Sequence, residues 1–217
     1  MFFVIEGVIG VGKTTLARLL QPAFKANLLL EVFEENPFLS QFYADRVRYA
    51  FQTQIFFLLS RYHQQNEAIP KLLADKEVLI GDYTFEKDSL FAGINLRGDE
   101  LDMYYKVHEA LAEKITHPDL IVYLRATTER LLHRINQRDR TYERNMDPDY
   151  IEQIVQAYDH YFLDNPALKI PVLVLDGNTL DFVSHPNEIG WVENRIRQAL
   201  QLPPFQPALP LPLRLFD

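Results

Sequence analysis

The chain has 217 residues, of which 47% are hydrophobic, and this length predicts one domain with a full core, or at most two small domains. It contains no cysteine, which excludes disulfides, thiol nucleophiles and cysteine-bound metals, and its formal net charge of −8 argues against a general nucleic-acid-binding surface. No apolar run approaches the ~18 residues of a membrane span and no basic leader precedes the apolar N-terminus, so we expect a cytoplasmic protein that contacts neither nucleic acid nor membrane.

Strand-like and helix-like segments alternate along the chain, as is typical of a parallel sheet covered by helices. The predicted strands cover residues 2–6, 28–32, 77–82, 120–124 and 172–176. The predicted helices cover residues 13–24, 38–66, 100–116, 127–137, 148–163 and 187–201, and Asp147 followed by Pro148 is a good helix start. We therefore predict an α/β fold with a doubly wound five-stranded parallel sheet, helices on both faces and a ligand crevice at the strand ends.

A glycine-rich loop joins the first predicted strand to the first predicted helix. Residues 7–15 read GVIGVGKTT, and their glycines let the backbone N–H groups turn inward around phosphate oxygens. Lys13 can reach the β- and γ-phosphates, and Thr14 can bind Mg²⁺ through its hydroxyl. A glycine-rich turn that matched by chance would lack this setting, so we predict a site for ATP or a related triphosphate donor. Its predicted residues are Gly7, Gly10, Val11, Gly12, Lys13, Thr14 and Thr15.

Two carboxylates end the neighbouring predicted strands. Asp82 closes the sequence VLIGD, which resembles the acidic end of a Walker B strand, and a carboxylate there can hold Mg²⁺ directly or through water. Glu31 would face the same crevice, where it could take a proton from a hydroxyl that attacks the γ-phosphate. Acidic strand ends are common, however, and both side chains could instead be solvated.

A set of spaced motifs resembles the deoxynucleoside kinases, in particular the bacterial deoxyadenosine/deoxyguanosine kinase branch. The motifs are IEG-x-x-G-x-GKTT at 5–15, Glu31 before EENPF, FQTQ-x-x-x-L-x-x-R at 51–61, DYT-x-x-x-D-x-x-FA at 82–92 and R-x-x-x-R-x-R-x-x-E at 134–143. The resemblance implies a P-loop kinase fold, usually in a homodimer, with an arginine-rich lid. It also implies transfer of a γ-phosphoryl group from ATP to the 5′-hydroxyl of a deoxynucleoside, with deoxyadenosine or deoxyguanosine favoured and deoxycytidine as a further candidate.

The kinase domain is expected over residues 1–202. The proline-rich residues 203–217 read as an extended tail, which either packs across the domain or a neighbouring subunit or is disordered.

The resemblance also implies roles for single residues at the reacting end of the acceptor. Glu31 matches the general base, and Tyr43 and Glu143 match the pair that hydrogen-bonds the sugar 3′-hydroxyl. The implied catalytic residues are Lys13, Glu31, Arg138 and Arg140.

At the base end, Gln54 matches a base-binding glutamine whose amide offers one donor and one acceptor. Arg61 and Asp88 match an arginine–aspartate pair beside the base, and Phe91 matches the ring on which the base stacks. Taken without the motif, Gln54 would be an amide on the polar face of a helix and Phe91 a core ring. The implied acceptor-binding residues are Glu31, Tyr43, Gln54, Arg61, Asp82, Asp88, Phe91 and Glu143.

Three arginines form the predicted lid. Arg134 and Arg138 are one helical turn apart and can face the same side, while Arg140 follows the helix end. Guanidinium groups entering the crevice would offset the charge of the transferring phosphoryl group, and a hinged segment could close over ATP. A solvated basic helix end, which the helix dipole favours, is the alternative.

One position departs from the family. Much of the family places an arginine after the acid that ends the third strand, whereas this chain has Tyr83 between Asp82 and Thr84. Tyrosine brings no charge, so Arg61, a lid arginine or a second metal-bound water would have to replace the arginine.

Two rival functions remain at this stage. A nucleoside monophosphate kinase of the thymidylate kinase type would need basic residues near the acceptor phosphate, whereas Glu31, Glu34 and Glu35 would repel it. A nucleotide-dependent switch would carry an Asn-Lys-x-Asp signature, which this sequence lacks.

Overall fold

Five parallel strands form one sheet in the order β2-β3-β1-β4-β5, in a computed structural model that describes residues 1–144, 146–182, 185 and 187–203. The strands are β1 (Phe2–Glu6), β2 (Asn27–Leu29), β3 (Leu79–Gly81), β4 (Leu120–Arg125) and β5 (Val172–Asp176). The predicted five-stranded parallel sheet is confirmed. Because β1 lies at the centre, its carboxyl end opens into the crevice between neighbouring strand ends.

Eight helices surround the sheet within the described residues. They are α1 (Lys13–Phe24), α2 (Leu39–Ala44), α3 (Arg46–Asp75), α4 (Lys87–Asn95), α5 (Gly98–Ala112), α6 (Thr128–Arg138), α7 (Pro148–Leu163) and α8 (Asn187–Ala199). As expected, Asp147 caps α7, with its side chain accepting a hydrogen bond from the N–H of Asp149. In the described part of the chain, no helix has the length and apolar character needed to cross a membrane.

Helices cover both faces of the sheet. Successive side chains of β1 point to opposite sides, and all of them are buried. Phe3 packs edge to face on Phe24 of α1, with 5.2 Å between the ring centroids. Phe2 and Val4 on the other face pack with Ile69 of α3 in a separate apolar cluster. The predicted two-sided covering is therefore confirmed, and residues between the layers are almost fully buried.

The helix predicted over 38–66 is wrong in two respects. It is broken at Asp45, whose carboxylate caps α3 by accepting from the N–H of Arg48 at 3.2 Å. Beyond residue 66 the helix continues to Asp75 and tolerates Pro70, because Ile69, Leu72 and Leu73 pack on the sheet. Helix α4 has no counterpart in the prediction, and α5 begins at Gly98 and ends at Ala112 rather than covering 100–116.

Strands β2 and β3 are shorter than predicted, and this shortening forms the crevice. The sheet pairing stops at Leu29 and Gly81. Beyond it, the Asp82 carboxylate replaces a strand partner and accepts a hydrogen bond from the backbone N–H of Glu31 at 2.8 Å. Both acidic residues therefore lie beyond the paired strands, at the crevice. The predicted tail falls on residues 203–217, of which 204–217 lie outside the described residues.

Candidate active site

The loop after β1 has the backbone shape that a phosphate site requires. Gly10 and Gly12 have φ angles of 87° and 104°, a region that side chains rarely adopt. A Cβ atom at Gly7 would lie 2.5 Å from the carbonyl oxygen of Leu124. Gly12 directly precedes α1, so the N-terminus of that helix lies at the loop, where it favours binding of an anion.

Lys13 folds back over this loop. Its Nζ donates to the carbonyl oxygens of Gly7 at 2.7 Å and Val8 at 3.3 Å. Burial, followed by the charge of Lys87, lowers the pKa of Lys13 to about 8. The ammonium therefore lies at the loop on which phosphate oxygens would be seated.

Thr14 and Asp82 meet beside the loop. The Thr14 hydroxyl donates to Oδ2 of Asp82, while Oδ1 holds the backbone of Glu31. An adjacent hydroxyl and carboxylate fit Mg²⁺, which takes few protein oxygens and completes its shell with phosphate oxygens and water. The described residues contain no cluster of three or more His, Cys, Asp or Glu side chains suited to hold a metal by themselves.

One cavity brings together most of the residues singled out in the sequence. It runs from the phosphate loop, past the ends of β2 and β3, to α3 and the segment after α6. The predicted residues on its wall are Gly10, Lys13, Thr14, Glu31, Tyr43, Gln54, Arg61, Asp82, Phe91, Arg138, Arg140 and Glu143. Gly7 and Asp88 lie outside the wall, and Val11, Gly12, Thr15 and Arg134 line an adjoining cavity instead.

Glu31 is held by two cations. Its Oε1 pairs with Nη2 of Arg61, and its Oε2 accepts from Nζ of Lys87 at 2.6 Å. Burial alone would raise the pKa of Glu31, but the charges of Lys87 and Arg61 outweigh burial and hold that pKa well below its usual range. The carboxylate is therefore ionised and oriented before any ligand binds.

The far end of the cavity combines polar groups with aromatic rings. Gln54 is buried on α3, and it lines the cavity. Phe91 lies on the wall, and Arg61 stacks over Phe57 with its Cζ 4.6 Å from the ring centroid. Thr53 Oγ1 is also buried without a described hydrogen-bond partner. This end therefore offers a flat apolar surface and an unmet hydrogen-bonding group.

Asp88 lies behind this wall rather than on it. It is fully buried in α4 and pairs with Nη1 of Arg61, so the expected arginine–aspartate pair is present. Apart from this ion pair, neither carboxylate oxygen accepts a hydrogen bond from a described residue. Arg61, and not Asp88, forms the cavity surface, so a contact between Asp88 and a base stays a prediction.

The segment after α6 closes over the cavity. Arg138 pairs with Glu143, and Arg140 Nη1 lies 3.6 Å from the same carboxylate. Arg140 also stacks on the ring of Phe33, with its Cζ 4.1 Å from the centroid. Tyr142 stacks on Tyr43 at 5.8 Å, which joins the lid to α2. These contacts hold the segment after α6 against the wall of the cavity.

Arg134 faces away from this cavity. Its guanidinium donates to the carbonyl oxygens of Val11 and Leu180, at 3.1 Å each. The expectation that Arg134 and Arg138 face one side holds only for the adjoining cavity, which both line. Arg134 therefore ties the phosphate loop to the chain before α8, because its hydrogen bonds go to backbone oxygens.

Lys87 is a charged residue of the cavity wall that the sequence did not predict. It lies in the first turn of α4, and its ammonium occupies the acceptor cavity beside Glu31. Tyr83 points the other way, into the apolar cluster under α3, where its hydroxyl donates to Gln64 at 2.7 Å. The signal available in the sequence was a basic residue within the motif DYTFEKD, next to Asp88.

Comparison with known proteins agrees with this geometry. The model of the family described as deoxynucleoside kinase matches residues 3–201. A deoxyguanosine kinase of Bacillus subtilis (strain 168) is 32% identical over 201 residues, which cover 92% of this chain and 97% of that protein. A deoxyadenosine kinase of Dictyostelium discoideum is 34% identical over 174 residues, which cover 78% of this chain and 69% of that protein.

A solved structure shows the same fold. The deoxyadenosine kinase from M. mycoides with bound dATP superimposes with a TM-score of 0.78 at 25% sequence identity, covering 91% of this chain and all of that chain. These matches set aside the monophosphate kinase and nucleotide-switch alternatives. The chain belongs to the deoxynucleoside kinase family, and its reaction is the phosphorylation of a deoxynucleoside.

Proposed function

We propose that this chain transfers the γ-phosphoryl group of ATP to the 5′-hydroxyl of purine deoxynucleosides, with deoxyguanosine and deoxyadenosine ahead of deoxycytidine. The observation that carries the proposal is one cavity with a phosphate loop at one end and a buried amide, Gln54, beside aromatic rings at the other. A deoxynucleoside lying along this cavity would present its 5′-hydroxyl to the loop and its base to Gln54.

Glu31 is the general base in this proposal. Its carboxylate lies between the phosphate loop and the acceptor end, and it is held in place by Arg61 and Lys87. As the 5′-oxygen forms its bond to phosphorus, the hydroxyl proton passes to Glu31 and the bond from the γ-phosphorus to ADP breaks. Lys13 would stabilise the negative charge that develops on the phosphate oxygens of the departing ADP.

Mg²⁺ is the proposed metal, held by Thr14 and Asp82 together with oxygens of the triphosphate. Bound Mg²⁺ would neutralise charge on the phosphate oxygens. The contact between these two side chains supports the assignment, because it brings a hydroxyl and a carboxylate oxygen to one point beside the loop. The remaining residues of the loop, Gly7, Gly10, Val11, Gly12 and Thr15, would bind the donor with Arg138 and the adjoining Arg134.

The sugar and lid roles follow the same geometry. Tyr43 and Glu143 border the cavity on the side of the lid, which supports their proposed hydrogen bonds to the 3′-hydroxyl. Arg138 and Arg140 now pair with Glu143, and they would turn to the phosphoryl group when a triphosphate binds. Closure of the lid would then exclude water from the transferred group.

The base preference rests on hydrogen-bonding groups. Gln54 supplies one donor and one acceptor, while buried Asp88 supplies an unmet acceptor that Arg61 orients. An exocyclic amino group can satisfy an acceptor, whereas the corresponding carbonyl of thymine cannot. Relatives that act on deoxyguanosine and deoxyadenosine support purines over deoxycytidine.

Assembly and location complete the proposal. Leu59 of α3 and Met103 of α5 are 41% and 53% exposed, which supports a homodimer through these helices. The absence of cysteine supports a cytoplasmic protein, and the family match over 3–201 supports one kinase domain over 1–202, with 203–217 as a tail.

The test is a substrate panel. Initial rates with Mg²⁺-ATP would be measured for the four deoxynucleosides and for the four corresponding 5′-monophosphates. The proposal expects the highest kcat/KM with deoxyguanosine or deoxyadenosine, a lower value with deoxycytidine and the lowest with thymidine. Thymidine as the best substrate would contradict the base assignment, and faster turnover of the monophosphates would contradict the proposed acceptor.

A further inference from the structure

We propose that Lys87 is a catalytic residue of this chain, whose ammonium positions Glu31 in the free enzyme and donates hydrogen bonds to the 5′-oxygen and the transferred phosphoryl group during the reaction. The inference deepens the proposed function and rests on it. Lys87 Nζ lies 2.6 Å from Oε2 of Glu31. The Lys87 side chain is 7% exposed and lines the proposed acceptor cavity.

The hydrogen bonds of this ammonium are incomplete. A protonated lysine has three N–H donors, and among the described residues Nζ makes one hydrogen bond, to Glu31. Buried polar hydrogens normally find partners, because leaving them unpaired costs free energy. Two donors of Lys87 are therefore available to an oxygen-rich ligand in the cavity, which is what a nucleoside 5′-hydroxyl and a γ-phosphate would supply.

Local structure does not account for a lysine at this position. Lys87 lies in the first turn of α4, where the helix dipole disfavours a cation and favours an acid. An uncharged side chain of similar length could pack equally well at this position. The ammonium is therefore present against the local preference, and its partner Glu31 lies on a different part of the chain.

A chain of buried hydrogen bonds fixes Lys87 relative to the phosphate loop. The Glu6 carboxylate accepts from the N–H of Gly7 at 2.9 Å and from the N–H of Thr84 at 2.7 Å. The Thr84 hydroxyl in turn accepts from the backbone N–H of Lys87 at 3.3 Å. The loop that would hold the triphosphate and the helix that carries Lys87 are thus tied to one carboxylate, so their spacing is set before a ligand binds.

The other cations on the wall already have partners. Arg61 is shared between Glu31 and Asp88, and the lid arginines pair with Glu143. Lys87 is the cation that faces Glu31 from α4. During transfer the proton of the 5′-hydroxyl moves to Glu31, and negative charge shifts from that carboxylate to the phosphoryl oxygens and to ADP. An ammonium in contact with Glu31 can stabilise charge at both places.

The first experiment compares Lys87→Met, Lys87→Gln and Lys87→Arg with wild type, with exposed Lys71→Met as the matched control. Rates are measured with deoxyguanosine and Mg²⁺-ATP, and melting temperature reports folding. Losing one charged donor in the transition state predicts a fall in kcat of roughly 10²–10³-fold for Met and Gln, with the nucleoside KM changed by less than about fivefold. Lys87→Arg should recover at least about tenfold of that loss, since it restores the charge.

A double-mutant cycle tests whether Lys87 and Glu31 act in the same step. Because Lys87 acts on the same proton transfer as Glu31, Lys87→Met on a Glu31→Gln background should cost less than about tenfold in kcat. Equal losses on both backgrounds would overturn the proposal, as would a kcat of Lys87→Gln within about twofold of wild type. If Lys87→Met does not fold, Lys87→Gln takes its place in the cycle. A wild-type enzyme inactive on every deoxynucleoside would instead overturn the proposed function itself.

Discussion

Arg61 holds Glu31 through one guanidinium nitrogen, Nη2, while Nη1 of the same group holds Asp88. One side chain therefore links the proposed base-recognition end of the cavity to the proposed general base. Arg61 and Asp88 are almost fully buried and the Glu31 side chain is 15% exposed, so a change at one charge is little screened at the others. Substitutions at the base end should consequently affect catalysis as well as binding.

Replacing Lys13 by Ala should abolish turnover while the protein stays folded. The lysine ammonium donates to two loop carbonyls and lines the cavity, so its removal takes away the positive charge beside the phosphate oxygens while the apolar core keeps its side chains. A loss of at least about 10³-fold in kcat/KM for ATP is expected if this charge stabilises the transition state. Melting temperature should change little, and exposed Lys106→Ala is the control. Near wild-type activity of the variant would remove the phosphate-loop assignment.

Replacing Glu31 by Gln should lower kcat by roughly 10²–10⁴-fold, the range expected on losing a general base. Nucleoside affinity should remain, because the amide keeps the shape of the carboxylate. Exposed Glu34→Gln, three residues along the chain, is the matched control. If the substitution changes nucleoside affinity alone, Glu31 is a binding residue and another group accepts the proton.

Replacing Asp88 by Asn should narrow the discrimination against thymidine. A thymine carbonyl that faces the carboxylate leaves a buried acceptor unpaired, which costs about 1–3 kcal/mol. The amide of the variant can donate to that carbonyl, so the ratio of kcat/KM for deoxyguanosine to that for thymidine should fall by roughly tenfold to a hundredfold. The loosened Arg61 should also lower kcat for the purine. Asp102→Asn on the surface of α5 controls for the change of charge. An unchanged ranking of the four deoxynucleosides would contradict the role of Asp88.

Replacing Phe33 by Leu should weaken the closed lid. The stacking of Arg140 on this ring contributes about 0.5–2 kcal/mol if closure excludes water, so the KM for ATP should rise by about two- to thirtyfold. Val47→Ala is a suitable control because Val47 is 92% exposed on α3. If the KM values for ATP and for the deoxynucleoside both stay at the wild-type level, the contact between Arg140 and Phe33 does not affect catalysis.

The parts of the site that depend on local sequence could be predicted. The phosphate loop is one continuous segment between a strand and a helix, so its glycines, Lys13 and Thr14 follow from spacing alone. Glu31 and Asp82 follow from strand ends, because parallel strands bring their carboxyl ends to one edge. Gly10, Lys13, Thr14, Glu31 and Asp82 do line the cavity.

The parts of the site that depend on tertiary contacts could not be predicted from the sequence. Helix α4 has no clear apolar period and contains Gly93, so its formation depends on packing rather than on its own sequence. The position of Lys87 depends on Thr84 and the buried Glu6, which are distant in sequence from each other. Nothing in the local sequence indicates that the Tyr83 ring packs under α3, or that Lys87 places its positive charge in the cavity.

The most direct test of the account identifies the product. Wild-type enzyme would be incubated with deoxyguanosine and Mg²⁺-ATP, and the product would be followed by proton-coupled ³¹P NMR. The account predicts ADP and a deoxyguanosine phosphate whose signal is a triplet, because a 5′-phosphate couples to both hydrogens on C5′. A doublet, which marks a 3′-phosphate, or preferential conversion of deoxyguanosine 5′-monophosphate to the diphosphate would contradict it.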